Sequence, residues 1–153
     1  MFIQRVIGAL CAHEVSYALV GGYAVALHGA VRGTVDIDLV IQVSQKSYQQ
    51  AEQAMKSIGL QSRLPVTADD VFNFREEYIN NRNMIAWTFL NPVNPAEMVD
   101  IILTEDLANL HAVTKQAFAM NVQVLAIEEL ITVKQKSGRP QDLEDVKALE
   151  SLK

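Results

Sequence analysis

The stretch that decides the fold runs from Val20 to Val43 and reads Val-Gly-Gly-Tyr-Ala-Val-Ala-Leu-His-Gly-Ala-Val-Arg-Gly-Thr-Val-Asp-Ile-Asp-Leu-Val-Ile-Gln-Val. It continues an apolar run that begins at Tyr17, and its two glycines separate that run from a second one carrying Asp36 and Asp38. Because side chains alternate along a strand, the two aspartates project from the same face, about 6.6 Å apart. We therefore predict a buried strand over 17–20, a short helix over 23–27 and a second strand that presents two carboxylates in one direction.

The paired aspartates indicate a bound cation. Aspartate is depleted from strands, and two like charges on one face repel each other. A hard divalent ion held by carboxylate oxygens compensates this repulsion, and Mg²⁺ suits a site to which a phosphate adds further ligands. Gly21 and Gly22 let the backbone approach such a phosphate closely, since glycine has no Cβ. Taken alone, Gly-Gly also fits an ordinary turn and Asp-x-Asp a solvated edge strand, but both motifs about fifteen residues apart favour a metal and phosphate site.

Two motifs in this chain resemble those of a known superfamily. Gly21-Gly22 followed by Arg32-Gly-Thr-Val-Asp-Ile-Asp-Leu39 resembles the signature of the nucleotidyltransferase-fold superfamily. Within that superfamily, the sequence of this motif is most similar to the small bacterial branch that includes the abortive-infection (AbiEii-type) toxin nucleotidyltransferases. The stretch Lys134-Gln-Lys-Ser-Gly-Arg-Pro-Gln-Asp-Leu-Glu-Asp145 is the second match, so the resemblance spans nearly the whole chain. The superfamily more often has serine after the first glycine, and the phosphate contact of that hydroxyl is missing at Gly22.

Asp100 is the candidate for a third carboxylate. It stands in the middle of the apolar run Met98-Val-Asp-Ile-Ile-Leu103, where a buried carboxylate is costly unless it is paired or metal-bound. In the superfamily, a later strand beside the Asp-x-Asp strand supplies the third metal ligand, and the resemblance assigns that role to Asp100. An edge-strand aspartate that faces water is the alternative.

The resemblance implies an α/β (α+β) nucleotidyltransferase fold, with a mixed central sheet flanked by helices, as one domain over residues 1–153. It implies that two Mg²⁺ ions are held by the catalytic aspartates Asp36, Asp38 and Asp100. It also implies that the nucleotide is bound by Gly21, Gly22, Arg32, Thr34 and Lys134. For Arg32, pairing with an acidic neighbour is an equally open interpretation. We expect Arg139 and Asp142 to hold the last two helices together by charge-assisted hydrogen bonds rather than to contact the ligand.

The implied reaction is Mg²⁺-dependent transfer of a nucleoside monophosphate from a nucleoside triphosphate to a hydroxyl acceptor, with release of pyrophosphate. The acceptor stays open between tRNA, a protein and a small molecule. The resemblance includes toxins of toxin–antitoxin systems, so a cognate antitoxin is an expected partner. A non-catalytic nucleotide-binding or partner-binding module of the same fold is the second hypothesis, and a structural protein with a glycine turn and surface aspartates is the third.

Composition and charge limit the classes of protein to which this chain can belong. A chain of 153 residues, half of them hydrophobic, can bury one core, and its net charge of −5 argues against broad, non-specific binding of nucleic acid. No apolar run approaches the roughly 20 residues that cross a bilayer, and no positive segment precedes the apolar N-terminus as in a signal peptide. The only cysteine, Cys11, cannot form an internal disulfide, which fits a reducing cytoplasm, and we expect it in the core.

Hydrophobic periodicity and capping residues predict the other elements. Helices are expected over 2–13, 44–57, 127–137 and 139–149. Strands are expected over 60–64, 84–90, 98–103 and 122–125. Thr104 begins another predicted helix, the segment 67–78 is ambiguous, and Trp87 is expected in the core rather than as a base-stacking platform.

Overall fold

The computed structural model describes all 153 residues, as seven α-helices, seven β-strands and one 3₁₀ turn. The helices are α1 (Phe2–Ala12), α2 (Gly21–Leu27), α3 (Gln45–Ser57), α4 (Ala68–Asn73), α5 (Arg75–Arg82), α6 (Ile127–Ser137) and α7 (Pro140–Glu150). The strands are β1 (Tyr17–Val20), β2 (Ile37–Ile41), β3 (Gln61–Ser62), β4 (Ala86–Leu90), β5 (Met98–Ile102), β6 (Ala112–Ala117) and β7 (Met120–Leu125). The 3₁₀ turn covers Leu107–Asn109.

All seven strands form one sheet in the order β3-β4-β5-β2-β1-β7-β6. The pairs β2–β5 and β1–β7 are parallel, and the other four pairs are antiparallel. The predicted mixed sheet flanked by helices is therefore confirmed. None of the helices has the length and hydrophobicity that crossing a membrane requires.

The two faces of the central strands have different roles. One face carries fully buried apolar side chains such as Leu39, Ile101 and Trp87, and α3 covers it, with the Tyr48 and Trp87 rings 6.0 Å apart. Trp87 is in the core as predicted, and its Nε1 donates a hydrogen bond to Ser62. The side-chain alternation of a strand turns the remaining residues, including the strand aspartates, to the opposite face.

Two predictions along the chain were wrong. Thr104 does not begin a helix; Asp106 caps only the 3₁₀ turn, and the chain then enters the β6–β7 hairpin, whose first strand was not predicted. The mostly exposed side chains of β6 lack a strong apolar alternation, and its pairing with β7 is what defines it as a strand. Cys11 is exposed, because it lies beside the α1 face that buries Ile3, Val6, Ile7 and Leu10.

Other boundaries shifted without a change of type. The ambiguous segment 67–78 becomes two short helices, α4 and α5, and Thr67 and Asp70 form a capping box at the start of α4. The predicted strand over 60–64 is reduced to the two residues of β3. The second aspartate strand begins at Ile37, so Asp36 lies just before it, in the loop.

The junction of β1 and α2 depends on a glycine. Gly21 has φ +69°, a left-handed conformation that side chains with a Cβ rarely adopt. A Cβ built on Gly21 would also lie 2.9 Å from Cγ of Asp38. The turn therefore combines positive φ with a close approach of the backbone to an acidic side chain.

We expect Gly21→Ala to destabilise the protein more than Gly59→Ala. Gly59 also has positive φ, +84°, but nothing lies within 4 Å of the point that its Cβ would occupy, so its substitution costs only the left-handed strain of about 1–2 kcal/mol. Gly21→Ala adds a steric clash worth roughly 1–3 kcal/mol. Urea unfolding of both variants measures the difference, and equal losses would contradict the proposed contact with Asp38.

Candidate active site

Two aspartates face each other on neighbouring central strands. Asp38 of β2 and Asp100 of β5 are direct partners in the parallel pair, and Val20, the last residue of β1, is the partner of Asp38 on its other side. Neighbouring strands lie about 4.8 Å apart, so the two carboxylates leave the same face of the sheet at close range. The glycine turn follows Val20 directly, which brings Gly21 beside Asp38.

One cavity of about 840 Å³ contains every site residue that was predicted from the sequence. Its lining includes Gly21, Gly22, Arg32, Thr34, Asp36, Asp38, Asp100 and Lys134. Asp36 is exposed in the loop before β2 and reaches the cavity from its rim. The structure thus brings the predicted residues together from both ends of the chain, while their individual roles stay predictions.

The three carboxylates are not neutralised by the protein. None of Asp36, Asp38 and Asp100 forms an ion pair, and the side chains of the first two accept no hydrogen bond. Burial and the nearby charges of Asp100 and Asp36 raise the pKa of Asp38 to about 6, even though Lys134 and Arg139 act in the opposite direction. The site therefore carries an excess of negative charge. No three His, Cys, Asp or Glu side chains are already arranged at metal-binding distances.

Asp100 differs from the other two carboxylates in having a fixed partner. Thr88 of β4 is its neighbour across the antiparallel β4–β5 pair, and the Thr88 hydroxyl donates a hydrogen bond of 2.5 Å to Oδ1 of Asp100. This is the only hydrogen bond to the Asp100 side chain. A threonine inside an apolar strand was the available sequence signal, but Thr88 was not among the predicted site residues.

Thr34 fills the space beside the second glycine. A Cβ built on Gly22 would lie 2.6 Å from Oγ1 of Thr34 and 2.7 Å from its Cβ. A serine at position 22, which the superfamily more often has, would therefore collide with Thr34. The Thr34 hydroxyl lies at the place where a side chain of residue 22 would begin, and it donates a long hydrogen bond of 3.4 Å to the Asp36 carbonyl.

A network of charged side chains forms the wall of the cavity at the α6–α7 junction. Lys134 is buried, and its Nζ lies 2.9 Å from Oδ2 of Asp145 and 3.4 Å from Oδ1 of Asp142. The shorter contact is an ion pair whose angle falls outside hydrogen-bond geometry. Arg32 donates to Asp145 at 3.0 Å, and Arg139 donates to Asp142 at 2.8 Å. Three cations thus meet two aspartates in this network.

The pKa directions agree with this pairing. Burial acts to raise the pKa of Asp142 and of Asp145, but contacts with Arg139 and Lys134 in the first case, and with Lys134 and Arg32 in the second, hold both below their usual value. The expected hydrogen bonds between Arg139 and Asp142 are confirmed, although they cap the start of α7, and it is Lys134 that connects α6 with α7. The role of Asp145 was not predicted from the sequence.

The comparisons with solved structures agree with this architecture. The chain is 13% identical to the ANT(2'')-Ia structure in complex with adenylyl-2''-tobramycin, with a TM-score of 0.63, and the match covers 99% of this chain and 87% of that one. It is 15% identical to the lincomycin-bound lincosamide antibiotic adenylyltransferase LnuA, with a TM-score of 0.65 and coverage of 99% and 96%. An antigenic nucleotidyltransferase-like protein from Paracoccidioides brasiliensis is 19% identical, with a TM-score of 0.58 and coverage of 99% and 75%. At such identities these similarities establish the fold.

The sequence comparisons identify the family. No curated protein sequence matches the chain. The model of a family described as "Nucleotidyltransferase of unknown function (DUF6036)" matches residues 3–152. The expected relationship to the abortive-infection branch stays a prediction, whereas the superfamily is confirmed. Because the match extends over almost the whole length, the chain belongs to this DUF6036 family of nucleotidyltransferases.

Proposed function

We propose that this protein is a Mg²⁺-dependent nucleotidyltransferase that moves a nucleoside monophosphate from a nucleoside triphosphate to a hydroxyl acceptor and releases pyrophosphate. The observation that carries the proposal is the pair Asp38 and Asp100, which face each other without any cationic partner beside the Gly21 turn. The family and the fold of the similar structures support nucleotidyl transfer in general. We place the activity in the cytoplasm of a bacterium.

The donor set suits a hard divalent ion by its chemistry and its lack of cationic partners, while its present spacing is not that of a formed metal site. Of the aspartates around the cavity, Asp142 and Asp145 are neutralised by arginine and lysine, whereas the three site carboxylates are not. Carboxylate oxygens are the ligands that Mg²⁺ prefers. In the proposal Asp36 and Asp38 would hold two Mg²⁺ ions, and Asp100 would complete the site of the ion that activates the acceptor hydroxyl. The chemistry that two such ions supply is stabilisation of the entering and leaving oxygens of an in-line displacement.

The remaining site residues bind the triphosphate in this proposal. The backbone N–H groups of Gly21 and Gly22 donate to the β and γ phosphates, which can approach because neither residue has a Cβ. Thr34 offers a hydroxyl next to Gly22. Arg32 has a terminal guanidinium nitrogen that no protein acceptor uses, so it can pair with Asp145 and a phosphate together. Lys134 acts at longer range, because its ammonium group is already paired with two aspartates.

The two walls of the cavity favour different ligands. The cations lie on α6, just before α7 and in the loop before β2, namely Lys134, Lys136, Arg139 and Arg32. The wall at the ends of β4 and β5 contains Ile85, Ile102 and Glu105, and Ile85 is 52% exposed. An acceptor that reaches Asp100 over this second wall meets aliphatic groups and a glutamate, Glu105, that already pairs with Lys136 at 3.6 Å. This supports a small hydroxyl compound or a protein hydroxyl over a tRNA end, whose phosphates require cations.

Two alternatives follow from the same geometry. A toxin that modifies tRNA would need positive surface from a partner chain such as a cognate antitoxin, since this chain has a net charge of −5. A non-catalytic nucleotide-binding or partner-binding module of this fold would bind the triphosphate without turning it over. The retention of all three aspartates in one cavity favours the enzyme.

A transfer assay tests the proposal. The protein is incubated with Mg²⁺, each labelled nucleoside triphosphate, and a panel of tRNA, protein and small hydroxyl compounds. We expect pyrophosphate release and transfer of label to one acceptor class, and a loss on the order of 10²-fold or more in Asp38→Asn. The matched control is Asp69→Asn, an aspartate at the start of α4 outside the cavity. Triphosphate binding without turnover would favour the module, and the absence of both would refute the proposal.

The raised pKa of Asp38 predicts a pH-dependent effect of Asp38→Asn on stability. The folded pKa, about 6, exceeds the ordinary 3.8, so the folded state binds more protons between these values and Asp38 destabilises it increasingly as pH rises through this window. In metal-free buffer Asp38→Asn should match wild type near pH 4 and exceed it by roughly 2–3 kcal/mol above pH 7. Urea unfolding from pH 4 to pH 8 measures this difference. Mg²⁺ should reduce it at pH 7, whereas a gap independent of pH would contradict the electrostatic origin.

Lys134 is expected to have a larger structural role than Lys136. Lys134→Met leaves Asp142 and Asp145 short of a shared buried cation and should cost about 3 kcal/mol or more of the free energy of unfolding. Lys136 has a side chain that is 63% exposed and pairs with Glu105 at 3.6 Å, so Lys136→Met should stay within about 0.5 kcal/mol of wild type. Urea unfolding compares the two variants. If the two variants were equally stable, the expected structural role of Lys134 would be wrong, and only its proposed action on the phosphates would remain.

A further inference from the structure

Thr88 is a buried polar residue that the proposed reaction has not yet used. It lies in the middle of β4, is 7% exposed, and its hydroxyl donates to Oδ1 of Asp100 at 2.5 Å. We infer that Thr88 is a positioning residue, which holds Asp100 so that Oδ2 alone is presented to the cavity as a metal ligand. The inference rests on the proposed function and adds to it a residue on a strand that carries no metal ligand.

The geometry of β4 fixes the orientation of the Thr88 hydroxyl before any ligand binds. Threonine is branched at Cβ, so few side-chain rotamers are open to it in a strand. Thr88 is also the residue directly opposite Asp100 in the antiparallel pair, and the two side chains share one face. A hydroxyl held in this way donates to a carboxylate oxygen in the 2.5–2.7 Å range typical of strong charge-assisted bonds. The direction of the Asp100 carboxylate is therefore set by β4.

The other two carboxylates lack such a partner. The Asp38 and Asp36 side chains accept no hydrogen bond, so both oxygens of each are available to ligands. This difference matches the proposed division of work, in which Asp36 and Asp38 share two ions and Asp100 serves one. Partners that orient a metal ligand from behind typically contribute 10–100-fold to metal affinity or activity. Thr88 occupies that position behind Asp100.

Variants of Thr88 test the inference with Mn²⁺ as the probe. Thr88→Val keeps the volume and branching but removes the donor, Thr88→Ala removes the donor with a smaller side chain, and Thr88→Ser keeps the hydroxyl. Thr114→Val is the matched control, because Thr114 lies exposed on the distant edge strand β6. Water-proton relaxation measures Mn²⁺ binding to the nucleotide-free protein, so the readout does not require turnover. Circular dichroism confirms that each variant is folded.

We expect Thr88→Val and Thr88→Ala to weaken Mn²⁺ binding about 10-fold, and Thr88→Ser and Thr114→Val to stay within about twofold of wild type. With an acceptor in hand, kcat should fall about 10-fold while KM for the triphosphate is unchanged, a split that a general loss of packing would not produce. Wild-type Mn²⁺ affinity in Thr88→Val and Thr88→Ala would overturn the inference and leave the proposed function intact. If Thr88→Ser lost as much Mn²⁺ affinity as Thr88→Val, the inference would also be overturned. Wild-type protein that binds no Mn²⁺ would refute both the inference and the proposed function.

Discussion

Repulsion between Asp38 and Asp100, which face each other on the parallel strands β2 and β5 near the centre of the sheet, is the interaction on which the site depends. The register of these strands is set by the opposite face, where Leu39 and Ile101 are fully buried partners in the core. A shift of one residue would move the apolar set into the cavity and the aspartates into the core. Hydrophobic packing therefore holds two like charges together, and burial, together with the nearby charge of Asp100, raises the pKa of Asp38.

The aspartates in and next to the cavity fall into two groups, one paired with cations and one not. Asp142 and Asp145 are buried, and lysine and arginine neutralise them as they connect α6, α7 and the loop before β2. The three aspartates on the sheet side receive no such partner, although cations are close enough to influence the pKa of Asp38. Under the proposed function, the unpaired negative charge is what the metal ions would neutralise. The paired set holds α6, α7 and the loop before β2 together beside them.

The local sequence pattern predicted the parts of the site that depend on one continuous stretch of chain. The strand Tyr17–Val20, the glycine turn and the spacing of Asp36 and Asp38 follow from apolar runs and alternation. Asp100 stood out by its apolar surroundings, but its role, like that of Lys134, came from the family resemblance. Contacts between distant segments could not be predicted in this way: Arg32 meets Asp145 across 113 positions, and the Thr88–Asp100 bond depends on strand register. The strand β6 was missed for the same reason, since its exposed side chains carry little pattern and pairing with β7 defines it.

The contact between Thr88 and Asp100 bears on the choice between two explanations of the site, a module that only binds nucleotides and an enzyme that transfers a nucleotidyl group. In the proposed function the glycine turn, Asp36 and Asp38 would hold a metal-bound triphosphate, and these form one continuous stretch of chain with β1 and β2. Asp100 comes from another strand, and keeping it in place takes a buried hydroxyl on a third strand that would otherwise be replaceable by an apolar residue. A module that only binds nucleotides gains little from that arrangement. In the proposed enzyme, an oriented Asp100 carboxylate would serve the acceptor side of the reaction, and the hydrogen bond from the buried Thr88 hydroxyl is the contact inferred to orient it.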